Sequence, residues 1–64
     1  MSYRIDMDNI VKGRREDNFG SILLRLAMKA DSHNLELIRK GFPNAVETVE
    51  HWRETSNILD LPYD

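Results

Sequence analysis

The segment NFGSILLRLAMKAD, residues 18–31, carries apolar side chains on two opposite sides of a helix. At about 100° per residue, a first apolar stripe is formed by Phe19, Ile22, Leu23, Leu26 and Ala30. Leu24 and Met28 lie nearly opposite this stripe. A surface helix of a globular protein normally needs only one apolar stripe. This helix must therefore be covered from two sides, by other segments of the chain or by a second subunit.

The chain is short and contains no cysteine, which limits how it can become stable. It has 64 residues, and a domain of about this size buries only about 60% of the surface that its unfolded chain exposes. Without cysteine, disulfides and thiolate zinc sites are excluded. Close helix packing and self-association remain as ways to stabilise the fold. Because no signal-peptide pattern and no long apolar run is found, a cytoplasmic protein is expected.

Charge is distributed unevenly along the chain, although the net charge is only −2. Residues 1–18 carry four basic and four acidic side chains and are balanced. Residues 19–41 carry four basic and two acidic ones, for +2, and residues 42–64 carry one basic and five acidic ones, for −4. A weakly acidic chain lacks the basic footprint that binding to nucleic acid requires. A small DNA-binding regulator would need a basic recognition helix, and it is less favoured because the third helix is acidic.

The first residues alternate between apolar and charged side chains. Tyr3, Ile5 and Met7 are apolar and follow a period of two residues, which is typical of a half-buried strand. No second strand is predicted within the chain. We therefore expect residues 1–16 to form an extended arm and a loop, with the arm lying on the helices or paired with a second copy of itself.

Three helices are expected to follow this loop. They are predicted at about 17–30, 31–41 and 43–56 from their capping residues and apolar faces. Gly41 is expected to end the second helix in a left-handed conformation. Pro43 is expected to begin the third helix, where its missing N–H is harmless.

The last residues, NILDLPYD at 57–64, are too apolar for a disordered end. We expect this tail to form a strap packed on the helices or on a neighbouring chain. The whole chain, 1–64, is thus predicted to be one mainly α domain, with an arm and loop at 1–16, helices at 17–56 and the tail at 57–64.

A group of basic residues is the strongest candidate binding site. It consists of Lys12, Arg14, Arg15, Arg25 and Lys29. Arginine side chains match phosphate geometry, so the group predicts a site for a nucleotide-like anion between subunits, with Tyr3, Phe42 or Trp52 stacking on the base. The competing interpretation is that Arg25 and Lys29 only solvate their helix or pair with glutamates of the third helix.

Leu24 and Met28 are predicted to lie in a subunit interface. The second and third helices each offer one narrow apolar face, and covering both sides of the first helix within one chain would use up both faces. A second subunit is the simplest way to cover Leu24 and Met28. The complementary charges of segments 19–41 and 42–64 would help to set the register between the subunits. The alternative is that the N-terminal arm or the C-terminal strap covers these two residues.

Neither an enzyme nor a metal site is indicated by the spacing of reactive residues. The serines and threonines have no histidine at a suggestive distance along the chain. Glu47 and His51 are four residues apart on a predicted helix, but two ligands do not make a metal site. The chain is therefore expected to be non-enzymatic and to need no metal or cofactor.

The segment LLRLAMKADSHNLELIRKGFPNAVETVEHWR resembles short uncharacterised helical proteins of bacteria and their phages. The resemblance lies in the order of Ala-Asp, Asn, Leu, Phe-Pro, Val and Trp, and it covers about half of the chain. Small phage proteins are often inhibitors of host enzymes or oligomeric sponges that sequester nucleotide signals. The resemblance implies a role of this class and assigns no functional residue.

These observations favour a non-enzymatic, homo-oligomeric binding protein. In this hypothesis it sequesters a nucleotide-like ligand between subunits, as a phage accessory or counter-defence protein would. The alternative is an inhibitor that docks on a host protein through the acidic third helix, which carries Glu47, Glu50 and Glu54.

Overall fold

Four helices, one more than expected, make up the part of the chain that the structure describes. A computed structural model describes residues 2–64. Its helices are α1 (Tyr3–Val11), α2 (Phe19–Lys29), α3 (Ser32–Gly41) and α4 (Pro43–Thr55). The predicted mainly α class is confirmed. None of these helices is long and apolar enough to cross a membrane.

The N-terminal segment is the helix α1, so the prediction of an extended arm with a half-buried strand is wrong. Tyr3, Met7 and Ile10 recur at helical spacing and contribute to the core, whereas Ile5 is 65% exposed. Over so few residues, the spacing of four between Tyr3 and Met7 fits both periods. The helix satisfies its own backbone hydrogen bonds, which a single strand could not do. Met1, the first residue of the predicted arm, lies outside the described residues.

Helix α2 has nearly the predicted bounds but turns a different side to the core. Leu24 is fully buried, and Met28 is half-buried against the core. The neighbours of α2 are α1 and α4. The prediction that Leu24 and Met28 form a subunit interface is therefore corrected: helices of the same chain bury Leu24 fully, and Met28 packs against the same core.

The apolar stripe expected to face inward is largely exposed. Phe19 is 68% exposed, Ile22 48% and Leu26 55%, whereas Leu23 in the same stripe is buried. The apolar surface of α2 thus extends beyond the arc that the core covers.

Helices α3 and α4 follow each other with a single residue between them. The carboxylate of Asp31 caps α3 by accepting a hydrogen bond from the Asn34 backbone N–H at 2.8 Å. Gly41 belongs to α3 and is not left-handed, contrary to the prediction, because the turn into α4 is made at Phe42. Positive φ values occur instead at Ser56, at the end of α4, and at Gly13, in the loop after α1.

The tail packs as a strap on the helices of the same chain, which is one of the two predicted alternatives. The backbone N–H of Tyr3 donates to the carbonyl of Leu61 at 2.9 Å. The Asp64 carboxylate accepts hydrogen bonds from the backbone N–H groups of Asn44 and Ala45, at 2.8 and 3.2 Å. The tail therefore caps the N-terminus of α4 and ties it to α1.

The core lies between α1, α2 and α4, while α3 packs mainly on α4. Its fully buried apolar side chains are Met7, Leu24, Ala27, Ala45, Val46 and Val49. Trp52 packs at the edge of this core and is half-buried. Helix α3 packs on α4 and makes few contacts with α2. A groove therefore lies between α2 and α3.

Candidate functional site

The structure separates the basic residues that were predicted to bind one anion. Lys12 and Arg14 line the same cleft, between α1 and the segment after α4. Arg25 instead donates to a loop carbonyl at 3.0 Å, and Lys29 lines the groove between α2 and α3. Arg15 is exposed on the loop and lines neither cavity. Within residues 2–64 of one chain, two of the five predicted residues share a cavity.

The cleft has a volume of about 650 Å³ and contains a cation that the sequence analysis missed, Arg4. Arg4, Asp8 and Lys12 are spaced four residues apart along α1, which places them on one face. Lys12 forms an ion pair with Asp8 at 2.9 Å, and Arg14 Nη1 donates to Asn9 Oδ1 at 3.2 Å. Three cations and one carboxylate therefore line this cleft. A helical interpretation of the first residues would have revealed the spacing.

A second candidate site lies on the outer surface of α2 and the adjoining part of α3, and we call it the apolar face. Its large side chains, each about half exposed or more, are Phe19, Ile22, Leu26 and Leu37. At one end, the ring centroid of Phe19 lies 5.8 Å from that of Phe42. At the other end, Leu26, Leu37 and Ile38 line the groove of about 430 Å³ between α2 and α3. Contiguous exposed apolar surface of this kind marks interaction sites in soluble proteins.

Charged residues follow one edge of the apolar face along α2. Arg25 and Lys29 lie on the helix side next to Ile22, as the helical angle of about 100° per residue requires. Glu16 and Asp17 precede the N-terminus of α2, and the Glu16 carbonyl accepts the hydrogen bond from Arg25 Nη1. The Arg25 guanidinium therefore lies near the start of α2 together with Glu16, whereas Lys29 at the end of α2 lines the same groove as Asp31.

A buried polar network joins α1, the start of α2 and the tail. Asp6 is 3% exposed, and its carboxylate accepts hydrogen bonds from Asn18 Nδ2 at 2.8 Å and Ser21 Oγ at 3.1 Å. The Tyr63 hydroxyl donates to the same carboxylate at 2.5 Å. Among residues 2–64, no buried side-chain polar atom lacks a hydrogen-bond partner. A buried network that is fully hydrogen-bonded in this way holds α1, the start of α2 and the tail in one arrangement.

The two tyrosines of the chain meet beside this network. Their rings pack edge to face, with centroids 4.8 Å apart. Burial and the hydrogen bond to the Asp64 carboxylate at 2.7 Å raise the pKa of Tyr3 to about 12. The hydrogen bond to Asp6 and burial also raise the pKa of Tyr63. Both phenols are therefore protonated at neutral pH and act as donors that hold the tail.

The acidic surface of α4, the alternative docking site, is partly occupied by α3. The Glu50 carboxylate accepts two hydrogen bonds from Arg39, at 3.0 and 2.6 Å. These bonds hold the pKa of Glu50 below its usual value. Glu47 and Glu54 remain exposed on either side. The central carboxylate thus serves the contact between α3 and α4, which gives this surface less support as a docking site than the apolar face has.

Neither metal ligands nor related proteins assign a chemistry to these surfaces. Over residues 2–64, no group of three or more histidine, aspartate or glutamate side chains is placed to hold a metal ion. Comparison with family models, curated proteins and solved structures finds no match to the chain. The geometry of the cleft and of the apolar face is therefore the basis for a functional proposal.

Proposed function

We propose that the protein is a non-enzymatic binding protein that works as a homo-oligomer assembled through the apolar face. The observation that carries the proposal is the exposure of Phe19, Ile22, Leu26 and Leu37 in a chain whose core is already closed by its own helices. Burial of apolar surface contributes about 25 cal/mol per Å². Association through this face would therefore stabilise a domain that is too small to bury a large core.

The role of the apolar face in association can be tested by placing one charged side chain at its centre. Leu26→Asp should shift the assembly to monomers, because an unpaired carboxylate would have to be buried in the interface. Sedimentation velocity over a concentration series from micromolar to near-millimolar measures the shift.

The matched control is Val11→Asp, which changes another exposed apolar residue, on α1 and outside the apolar face. It should leave the assembly intact, and circular dichroism should show that both variants are folded. A wild-type protein that sediments as a monomer throughout the series would contradict the proposal.

We propose as a second function the capture of a nucleotide-like anion in the cleft between α1 and the segment after α4. The cations Arg4, Lys12 and Arg14 line this cleft and outnumber its carboxylate. Its volume lies within the range of about 300–1,000 Å³ that is usual for small-molecule sites, and guanidinium groups match phosphate oxygens. Sequestration of a nucleotide signal, as in a phage counter-defence protein, is the role that such a site would serve.

Calorimetric titration with a panel of linear and cyclic nucleotides tests the cleft. Replacing Arg4 and Arg14 together with alanine should weaken binding about tenfold or more, because a hydrogen bond to a charged group contributes about 1.5–3 kcal/mol. Arg15→Ala removes an exposed loop cation outside the cleft and should have little effect. Affinity should also fall as salt rises. Absence of heat with every nucleotide, in folded protein, would rule out this second function.

A further inference from the structure

We infer that the cavity where the start of α2, the turn before α4 and the tail meet is a binding site for a quaternary ammonium group, the head group of choline and of trimethylated lysine. We call this cavity the aromatic pocket. It has a volume of about 290 Å³ and is lined by Tyr3, Asn18, Phe19, Gly20, Phe42, Tyr63 and Asp64. The inference depends neither on the proposed homo-oligomer nor on the proposed anion cleft.

Four of the five aromatic side chains of the chain line the aromatic pocket. They form two pairs, with ring centroids 4.8 Å apart for Tyr3 and Tyr63 and 5.8 Å apart for Phe19 and Phe42. Tyr3 is buried, whereas Phe19 is 68% exposed and Tyr63 37% exposed, so the pocket is open to solvent. The negative face of an aromatic ring attracts a cation within about 6 Å, and pockets lined by several rings are typical sites for quaternary ammonium ligands.

The charges around the aromatic pocket also favour a cation. Among residues 2–64, Asp64 is the charged residue that lines it, and no lysine, arginine or histidine does so. Arg25 bonds to the loop before α2 and lies outside the lining. The Tyr3 hydroxyl donates to the Asp64 carboxylate at 2.7 Å. The Tyr63 hydroxyl donates to the Asp6 carboxylate at 2.5 Å. Because a hydrogen bond to an anion polarises the phenol, both rings become more attractive to a positive charge.

The hydrogen bonds already made at the aromatic pocket select the kind of cation. The Asp64 carboxylate accepts three of them, one from the Tyr3 hydroxyl and two from backbone N–H groups at the start of α4. It is therefore poorly placed to receive the paired donors of a guanidinium. A primary ammonium carries three N–H donors that each need an acceptor, whereas a quaternary ammonium carries none. The pocket is also smaller than sites for drug-sized ligands, which occupy about 300–1,000 Å³, and this size suits a small head group.

Titration of the full chain, followed by NMR, tests the aromatic pocket. Choline and its neutral carbon isostere, 3,3-dimethyl-1-butanol, have nearly the same shape and differ in charge. Choline should shift the backbone amide signals of Phe19, Gly20 and Tyr63 in a saturable way. The isostere should bind about tenfold more weakly, because it lacks the attraction of a cation to the rings. A short peptide with a trimethylated lysine carries the same head group, and the tighter of the two cationic ligands identifies its source.

Substitutions at Phe19 separate the effect of the ring from that of apolar surface. Phe19→Leu keeps an apolar side chain but removes an exposed ring, so it should weaken choline binding about threefold to tenfold. Phe19→Trp restores a ring and should recover the binding. The matched control is Leu37→Ala, which changes an exposed apolar residue outside the aromatic pocket. It should bind choline as the wild type does.

The titration is repeated on Leu26→Asp, because Phe19 also belongs to the apolar face through which association is proposed. Saturable binding of choline to this variant supports the aromatic pocket whether or not the wild type is a homo-oligomer. Equal binding of choline and its isostere, or a Phe19→Leu variant that binds choline like the wild type, would overturn the cation site. Absence of saturable shifts in both the wild type and Leu26→Asp would overturn it too, and the homo-oligomer would still be decided by sedimentation alone.

Discussion

Leu24→Ala should lower the free energy of unfolding by about 2–5 kcal/mol, the range for removing a large aliphatic side chain from a core. Leu24 is fully buried in the cluster to which α1, α2 and α4 contribute. Its removal leaves a cavity that the surrounding helices fill only in part. Because so small a domain has little stability in reserve, the variant should be close to unfolding. Urea denaturation followed by circular dichroism measures the loss.

Leu26→Ala is the matched control for this prediction. It makes the same chemical change two residues further along α2, at a side chain that is 55% exposed. It should cost less than about 1 kcal/mol when both variants are measured at a concentration where the protein is monomeric, since association adds stability. Equal losses at Leu24 and Leu26 would contradict the orientation of α2.

Gly20→Ala should destabilise the protein by about 1–3 kcal/mol, the usual cost of an extra methyl group in a well-packed site. Helix propensity alone predicts the opposite, because alanine is better than glycine inside a helix by about 1 kcal/mol. A Cβ atom on Gly20 would overlap Asp6 Oδ2 and lie 3.1 Å from Tyr63 Cε1. The carboxylate cannot withdraw without losing its hydrogen bonds to Ser21 and Tyr63.

Gly41→Ala provides the matched control, with the opposite sign. Gly41 lies in the last turn of α3, has no positive φ, and a Cβ atom there would meet nothing within 4 Å. This substitution should raise the free energy of unfolding by about 0.5–1 kcal/mol. Thermal and urea denaturation of both variants provide the comparison. If Gly20→Ala stabilised the protein as well, the close contact with the Asp6 carboxylate would be disproved.

The candidate sites show where prediction from the sequence ends. Lys12 and Arg14 are close along the chain and also share the cleft, but Arg4 joins them only because the first residues form a helix. Arg25 and Lys29 are neighbours on α2, yet Arg25 bonds to the loop before α2 and Lys29 lines the groove between α2 and α3. Spacing along one helix predicts which side chains share a face. It does not predict which other segment that face meets.

The sequence by itself determined the helices from residue 18 onward and the nature of the tail. Asp31 caps α3 and Pro43 begins α4 because capping and proline geometry act locally. The apolar content of the tail predicted that it packs, on the helices or on a neighbouring chain. Capping and proline geometry do not depend on distant residues, so they can be predicted from the sequence.

Only the tertiary structure decided which side of α2 faces inward. The helix is apolar around much of its circumference, so either the stripe with Phe19 or the side with Leu24 could have faced the core. The outcome depends on where α1 and α4 lie, and α1 itself has a pattern too short to separate a period of two from the helical one. Long-range packing against α1 and α4 buried Leu24, and it left the stripe with Phe19 exposed as the apolar face.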